Sequence, residues 1–412
     1  MIRIQTCTFN LFALASLSCS SLALADFVDD AKGSLELRNF YMNRDFRQPG
    51  SIEPQHDWGQ GMTLRLQSGF SEGTVGFGVD ALGQLGVKLD SGKGRASGNS
   101  VLPVDSDGTP RDEYASLGLT AKARYSHTVL KLGTVQPTLP ILLYNDSRML
   151  AGTYSGGMLN SEEIDGLTIN AGRLTKTKLR NSSSNDDIGH YGGARSDHLD
   201  FAGGTYQIAP DLALSYYYAD LADIYTQHYA GVLHTLPLGE GVKLTTDLRY
   251  FDSRDTGQAR ASRIDNGNFN GMLSLSVGGH KFSGAYQKIS GDGYFPFVLG
   301  SDPYIVNLAT FNTFNRPHER SWQVRYDYNF VALGLPGLTF MTRYIRGDHA
   351  DDGVVSNGTE WERDTDIAYV VQSGPLSGLG LKWRNATVRS GNGLTNEVDE
   401  NRVIINYTIA LF

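Results

Sequence analysis

The chain has 412 residues, with 36 Lys plus Arg against 44 Asp plus Glu, a hydrophobic content of 40%, 48 Gly and two Cys. An acidic chain without a basic patch gives no support to nucleic-acid binding, and two cysteines build neither a disulfide framework nor a cysteine metal centre. No later segment offers eighteen consecutive apolar residues, so no membrane-spanning helix is predicted, although spanning strands give a far weaker signal and stay open.

Residues 1–25 begin with Arg3, run through the apolar stretch Leu11–Leu17 and end in Ala23-Leu24-Ala25, the pattern of a secretory signal with a small-x-small cleavage site. The mature chain is expected to start at Asp26 and to form a single unit over 26–412. Cys7 and Cys19 both fall in the signal, and Ser16 stands where a lipoprotein signal would carry a Leu. Beyond it, period-two alternation recurs in LRLQ, LGLTAKARY, VKLTTDLRY, SWQVRYDYNF, LKWR and the last ten residues. In SWQVRYDYNF, Trp322, Val324, Tyr326, Tyr328 and Phe330 share one parity, while Gln323, Arg325, Asp327 and Asn329 share the other. Such a strand has one apolar face and one polar or charged face.

The breaks between strands alternate in length. Short ones fall near 71–74, 126–128, 164–166, 209–211, 237–241, 278–280, 333–337 and 374–378. Longer polar stretches cover 44–57, 87–113, 137–151, 182–197, 255–267, 291–320, 348–361 and 391–399, with one very short break near Asp223. These connections join eighteen strands. An even strand count with tight turns on one side and long loops on the other predicts an all-β fold, a transmembrane antiparallel β-barrel with both termini at the periplasmic rim. Trp58, Trp322 and Trp361 start strands at the long-loop end, as an interfacial aromatic girdle would. Phe412 alone departs from the apolar parity of Val403, Ile405, Tyr407, Ile409 and Leu411.

If the apolar parity faces lipid, the lumen receives Arg38, Arg65, Lys122, Arg124, Lys131, Lys243, Arg249, Arg325, Arg343, Lys382, Arg384 and Arg402. Its acids are Glu36, Asp80, Asp200, Asp247, Asp327, Asp364 and Asp366. A lumen richer in cations than acids, in a chain of the opposite balance, concentrates anions. Lys382 and Arg384 lie just above the turn at Gly378, and Arg402 lies near the external start of the next strand. On strands with few inward acids, the three are expected at successive depths, like rungs. The competing reading is that wall arginines pair with neighbouring carboxylates and brace the barrel.

Two loops stand out. In VQPTLPILLYNDSRML the run Leu139–Tyr144 is too apolar for an external loop, so it is expected to fold inward and narrow the barrel, followed directly by Arg148. The stretch 291–320 is long and aromatic, with Tyr294, Phe295, Phe297, Tyr304, Phe311 and Phe314. Leu142, Tyr144 and Tyr294 are the candidate constriction residues. A cation facing an aromatic wall suits an aromatic carboxylate, although the same loops would serve equally as plugs that stabilise each other. Catalytic motifs are weak or absent: there is no Gly-x-Ser-x-Gly, no His-Glu-x-x-His and no phosphate-binding glycine loop, and Asp105-Ser106-Asp107-Gly108 reads as a plain turn. No enzyme activity, cofactor or metal is expected. The rival functions are a general diffusion porin and, further off, an outer-membrane hydrolase.

With these segments in view, the sequence resembles the OprD-like substrate-specific outer-membrane channels over nearly the whole mature chain. The resemblance is carried by LELRNFYMNRDF, YNDSRMLAGTYSGGMLNSEEIDGLTINAGRLTK, SDHLDFAGGTYQ, ALGLPGLTFMTRY, VVQSGPLSGLGLKWRNATVRS and ENRVIINY. It implies an eighteen-stranded barrel in the bacterial outer membrane, narrowed by inward-folded loops, that takes up small carboxylate-bearing solutes along a ladder of basic residues. On that resemblance the ladder falls on Lys382, Arg384 and Arg402, a further lysine rung is replaced by Ala368, and Arg148 is the constriction arginine. The segment GTEWERDTDIAYVVQSGPL with KWRNATVRS looks more like the branch for cyclic or aromatic monocarboxylates. The full candidate pathway is Lys382, Arg384, Arg402, Arg148, Arg325, Arg38 and Arg124. Expected partners are small anionic solutes, outer-membrane lipid and, during biogenesis, the barrel-assembly machinery.

Overall fold

The computed structural model describes residues 27, 29–47, 53–96, 98 and 100–412; the segment predicted as a secretory signal lies outside them. Eighteen strands build the wall. The first nine are β1 (Lys32–Phe46), β2 (Gln55–Gln67), β3 (Val75–Asp90), β4 (Glu113–Tyr125), β5 (Thr128–Val135), β6 (Thr153–Ile164), β7 (Leu167–Lys178), β8 (Leu199–Ala209) and β9 (Leu212–Leu221). The second nine are β10 (Tyr225–Gly239), β11 (Val242–Asp255), β12 (Asp265–Val277), β13 (His280–Ser290), β14 (Arg320–Asn329), β15 (Leu338–Ala350), β16 (Gly358–Val370), β17 (Gly380–Gly391) and β18 (Val398–Ala410). Each pairs antiparallel with the next, and β18 closes on β1 from Ser34↔Ala410 to Phe46↔Val398. Closure leaves no strand edge unpaired in the hydrocarbon, which membrane insertion demands.

Burial follows parity as the sequence predicts. On β14, Ser321 and Gln323 are buried inward, while Trp322 and Val324 are 40% and 54% exposed outward. Turns such as 165–166, 240–241 and 278–279 are only two residues long, and Gly166, Gly241 and Gly278 adopt the positive φ that tight hairpins need. One lumen assignment needs correction. Asp200 faces outward, because Leu199 and Phe201 are its buried neighbours, and it pairs there with Arg173 at 2.5 Å. The parity of Phe412 is also explained. The regular strand ends at Ala410, the Leu411 amide and the Phe412 carbonyl still bond Gly33 at 2.8 and 3.2 Å, and the terminal ring folds over Gly33 so closely that a Cβ there would come within 2.7 Å of it.

The external connections are loop 1 (47–54), loop 2 (91–112), loop 3 (136–152), loop 4 (179–198), loop 5 (222–224), loop 6 (256–264), loop 7 (291–319), loop 8 (351–357) and loop 9 (392–397). Loop 3 folds inward, as its apolar run predicts. It forms a small hairpin, Thr138–Leu139 against Leu142–Tyr144, and Ser301–Asp302 of loop 7 adds a third strand to it. Loop 4 joins through the bridge His190↔Val298. Leu139, Ile141 and Leu142 pack with Phe295, Phe297, Val298 and Ile305 against the inward rings of Phe201, Tyr217, Tyr229 and Phe251. A second cluster seats Val101 and Leu102 of loop 2 and Met149 and Leu150 of loop 3 on Phe40, Met42 and Tyr114. Gly61 makes room for this contact, since a Cβ there would come within 2.7 Å of the Met149 carbonyl oxygen. Each large side chain buried in this way contributes roughly 1.5–3 kcal/mol to keeping the loops inside the barrel.

Candidate functional site

The strand register gathers most of the candidate cations on one wall. Arg325 of β14 faces Arg343 of β15, Arg343 faces Asp364 of β16, Asp366 faces Arg384 of β17, and Arg384 faces Arg402 of β18. Arg384 and Arg402 are thus direct register partners, whereas Lys382 stands two residues nearer the periplasm on the same strand. Arg38 is on the adjoining β1. Arg124 is apart from this group, at the periplasmic end of β4, with its guanidinium 4.5 Å from the Phe70 ring centre.

Carboxylates on the same wall are more numerous than parity counting suggests. β16 alone directs Glu360, Glu362, Asp364 and Asp366 inward, and β18 adds Glu400. Asp366 receives Lys382 Nζ at 2.8 Å and Arg384 Nη2 at 2.6 Å, so two cations share one acid. Arg325 pairs with Asp327 at 2.7 Å, Arg249 with Asp247 at 2.6 Å and Arg38 with Glu36 at 2.7 Å, each two residues along its own strand. Arg343 meets Asp364 at 2.7 Å. These pairs fix the planar guanidinium groups and leave their other N–H donors for backbone carbonyls or solute.

The upper acids of β16 serve loop 7. The amide of Thr310 donates to Asp364 at 3.2 Å, and those of Phe311 and Asn312 donate to Glu362 at 2.8 and 2.7 Å. Arg316 reaches back to Glu360. Buried carboxylates are costly without such donors. The acid column therefore pins loop 7 to the wall and leaves Asp366 alone beside Lys382 and Arg384.

Arg402 differs from the other two ladder candidates. It is 1% exposed, pairs with Glu400, and donates to the carbonyls of Ser147 in loop 3 at 3.2 Å and Thr310 in loop 7 at 3.1 Å. Arg44 of β1, also buried, holds the same Glu400 at 2.5 Å. Arg148 is buried beside them, and Arg180 of loop 4 donates to Asn145 and Ser147, both at 2.6 Å. Burial, then the charges of Arg402, Arg180 and Arg44, presses the Arg148 pKa well below its ordinary value, with Glu400 acting the other way. Arg38 completes the clamp, donating to the Arg148 carbonyl at 2.8 Å and to Asp146 at 2.6 Å.

The constriction candidates do not all come together. Leu142 is buried in the loop cluster, and Tyr144 is half-buried beside it. Tyr294 is 45% exposed, while its neighbours Phe295 and Phe297 are the loop 7 rings that pack with loop 3. Below loop 3 a chamber of about 1060 Å³ opens between the periplasmic strand ends, lined by Arg65, Lys122, Lys131, Asn160, Asn170 and Gln136 among others. A second of about 370 Å³ holds Lys281, Asp327, Asp366 and Lys382.

Sequence reasoning missed Lys281, Arg44 and Arg180. Lys281 shares the inward parity of β13 and was open to the same test. Arg44 falls in a stretch that reads as loop 1, and no local pattern places Arg180 beside loop 3.

An eighteen-strand closed barrel with charged inner walls and loops folded into its lumen defines an outer-membrane channel. The family model for outer membrane porin, OprD family, matches residues 25–411, and the chain belongs to that family. It lies in the bacterial outer membrane and is a porin, not an enzyme. It is 44% identical over 405 residues to the porin-like protein GalP of Pseudomonas putida, covering 97% of each chain. It is similar to the crystal structure of Pseudomonas aeruginosa OccK9 (OpdG), with a TM-score of 0.91 and 46% identity over 93% of this chain and all of that one. The structure of Pseudomonas aeruginosa OpdK with vanillate matches at a TM-score of 0.88 and 39% identity, over 93% of this chain and all of that one.

Proposed function

We propose that this porin takes up small carboxylate-bearing solutes, with cyclic and aromatic monocarboxylates its preferred class. The observation that carries the reading is the Lys382–Asp366–Arg384 group, where two cations share one carboxylate at the edge of a lumenal chamber. A solute carboxylate would complete this group with charge-assisted hydrogen bonds. Vanillate, the ligand of the OpdK structure, is an aromatic carboxylate of this class. Lys382 is 35% exposed and Arg384 23%, so solute reaches them; Arg402 acts chiefly by holding the loops that set the bore. The test is uptake into proteoliposomes of benzoate, a cyclohexane carboxylate, a basic amino acid and a neutral sugar. Uptake of the two monocarboxylates well above the sugar is expected, and equal rates for all four would identify a general diffusion pore.

A further inference from the structure

Cations on the outer wall are mostly paired. Arg173 meets Asp200, Arg254 meets Asp252 and Asp265, and Arg389 and Arg47 meet Asp399. One sector breaks this rule. On the outward faces of β13–β16, near the external ends, stand Lys288, Arg320, Arg346 and Arg363, all exposed. None of the four has an ion-pair partner among the described residues; Arg363 donates only to Asn385 at 3.3 Å and Thr387 at 3.1 Å. The single carboxylate on these outward faces is Asp348, the register partner of Arg320, and it is engaged with His349 instead.

Register sets the four along a diagonal, with only Lys288 and Arg320 as direct partners. Lys288 faces Arg320 across β13 and β14, Arg346 lies between Trp322 and Trp361, and Arg363 faces Tyr344. The rings of Trp322, Tyr344 and Trp361 form a continuous strip, with centres 5.6 and 5.5 Å apart. Such a strip marks the depth of the membrane–water interface. Towards the periplasm the same strands present Phe282, Tyr286, Val324, Tyr326 and Phe340, a surface for acyl chains. Direct cross-strand neighbours such as Lys288 and Arg320 lie about 5 Å apart, close enough to grip one phosphate, and the diagonal steps on to Arg346 and Arg363 are about 7–8 Å, within reach of long side chains.

We infer that this sector binds a phosphorylated glycolipid of the outer leaflet, its phosphates held along the line of Lys288, Arg320, Arg346 and Arg363 and its acyl chains laid along the wall below the aromatic strip. The cations complement the headgroup charge, and the apolar wall beneath them complements the chains. A soluble phosphate would use only the first half of this site.

The test is lipid retention by native mass spectrometry on the detergent-purified barrel, with bisphosphorylated lipid A, dephosphorylated lipid A and inorganic phosphate as probes. Wild type is expected to hold bisphosphorylated lipid A at least about tenfold more tightly than the dephosphorylated form. The Lys288→Gln/Arg320→Gln/Arg346→Gln variant should lose that preference while keeping wild-type heat-modifiable mobility. Equal binding of the two lipids by wild type, an unchanged preference in the folded variant, or full displacement of the lipid by inorganic phosphate would overturn the proposal. Should the triple variant not fold, Arg320→Gln alone, at an exposed position, gives the same comparison with a smaller expected loss.

Discussion

Arg402 has less exposed surface than any other cation of the proposed pathway, and it ties two loops to the wall. Removing one partner of a buried ion pair costs about 3–5 kcal/mol, because the other charge stays behind. Arg44 still neutralises Glu400, so Arg402→Met is expected at the lower end of that range, with a lower unfolding temperature and a larger, noisier conductance. Adding Glu400→Gln should lower stability further, because it leaves buried Arg44 without its carboxylate, and should not quieten the channel. Lys382→Met leaves the buried Asp366 to Arg384, so it should cost about 1 kcal/mol or less and change anion preference instead. Thermal melts and single-channel records on the three variants separate these roles. Parity in the sequence correctly turned Arg402, Arg384 and Lys382 inward. Glu362 and Glu400 share that parity, so their presence was legible too, whereas Glu360 falls where the chain reads as loop. What no local pattern discloses is that the Arg402 guanidinium ends on carbonyls 255 and 92 residues away.

Loops 3 and 7 depend on one another through the small sheet of Thr138–Leu139, Leu142–Tyr144 and Ser301–Asp302, where Asn145 donates to Asp302. Burial pushes the Asp302 carboxyl up to about 6, against the pull of Arg180 and Arg148. A carboxyl whose folded value exceeds its unfolded value near 3.9 binds its proton more tightly when folded. Its contribution to the clasp is therefore full below about pH 4 and is lost as pH rises through about 6. Loop-gating events in planar bilayers should become more frequent across that window, and Asp302→Asn should flatten the profile; an identical profile in the variant counts against the clasp. Deleting Leu139–Leu143 should enlarge the conductance outright, because it removes both the hairpin and its apolar anchor. The apolar run made the inward fold of loop 3 readable. Its pairing with a dipeptide some 160 residues later was not, since two-residue strands leave no alternation to detect.

At the scale of the whole molecule, two simple signals specify the architecture: side-chain alternation and the sorting of long and short connections. Both follow from a barrel whose outer wall is lipid and whose turns differ on its two sides. Tags inserted in 256–264 or 351–357 should be reached by antibody on intact cells, and tags in 371–379 should not; the inverse pattern would reverse the barrel. Loop 4 is a poor tag site, because it bridges to loop 7 and supplies Arg180 to loop 3. In the proposed mechanism, unevenly compensated cations on the wall of β16–β18 select anions. Its most direct test is the reversal potential in a benzoate gradient across a planar bilayer, compared between wild type and Lys382→Met/Arg384→Met. The wild type is expected to show a clear anion preference, falling as ionic strength rises through screening. The variant should retain its conductance and lose that preference; an equally anion-selective variant would show that Lys382 and Arg384 do not set the selectivity.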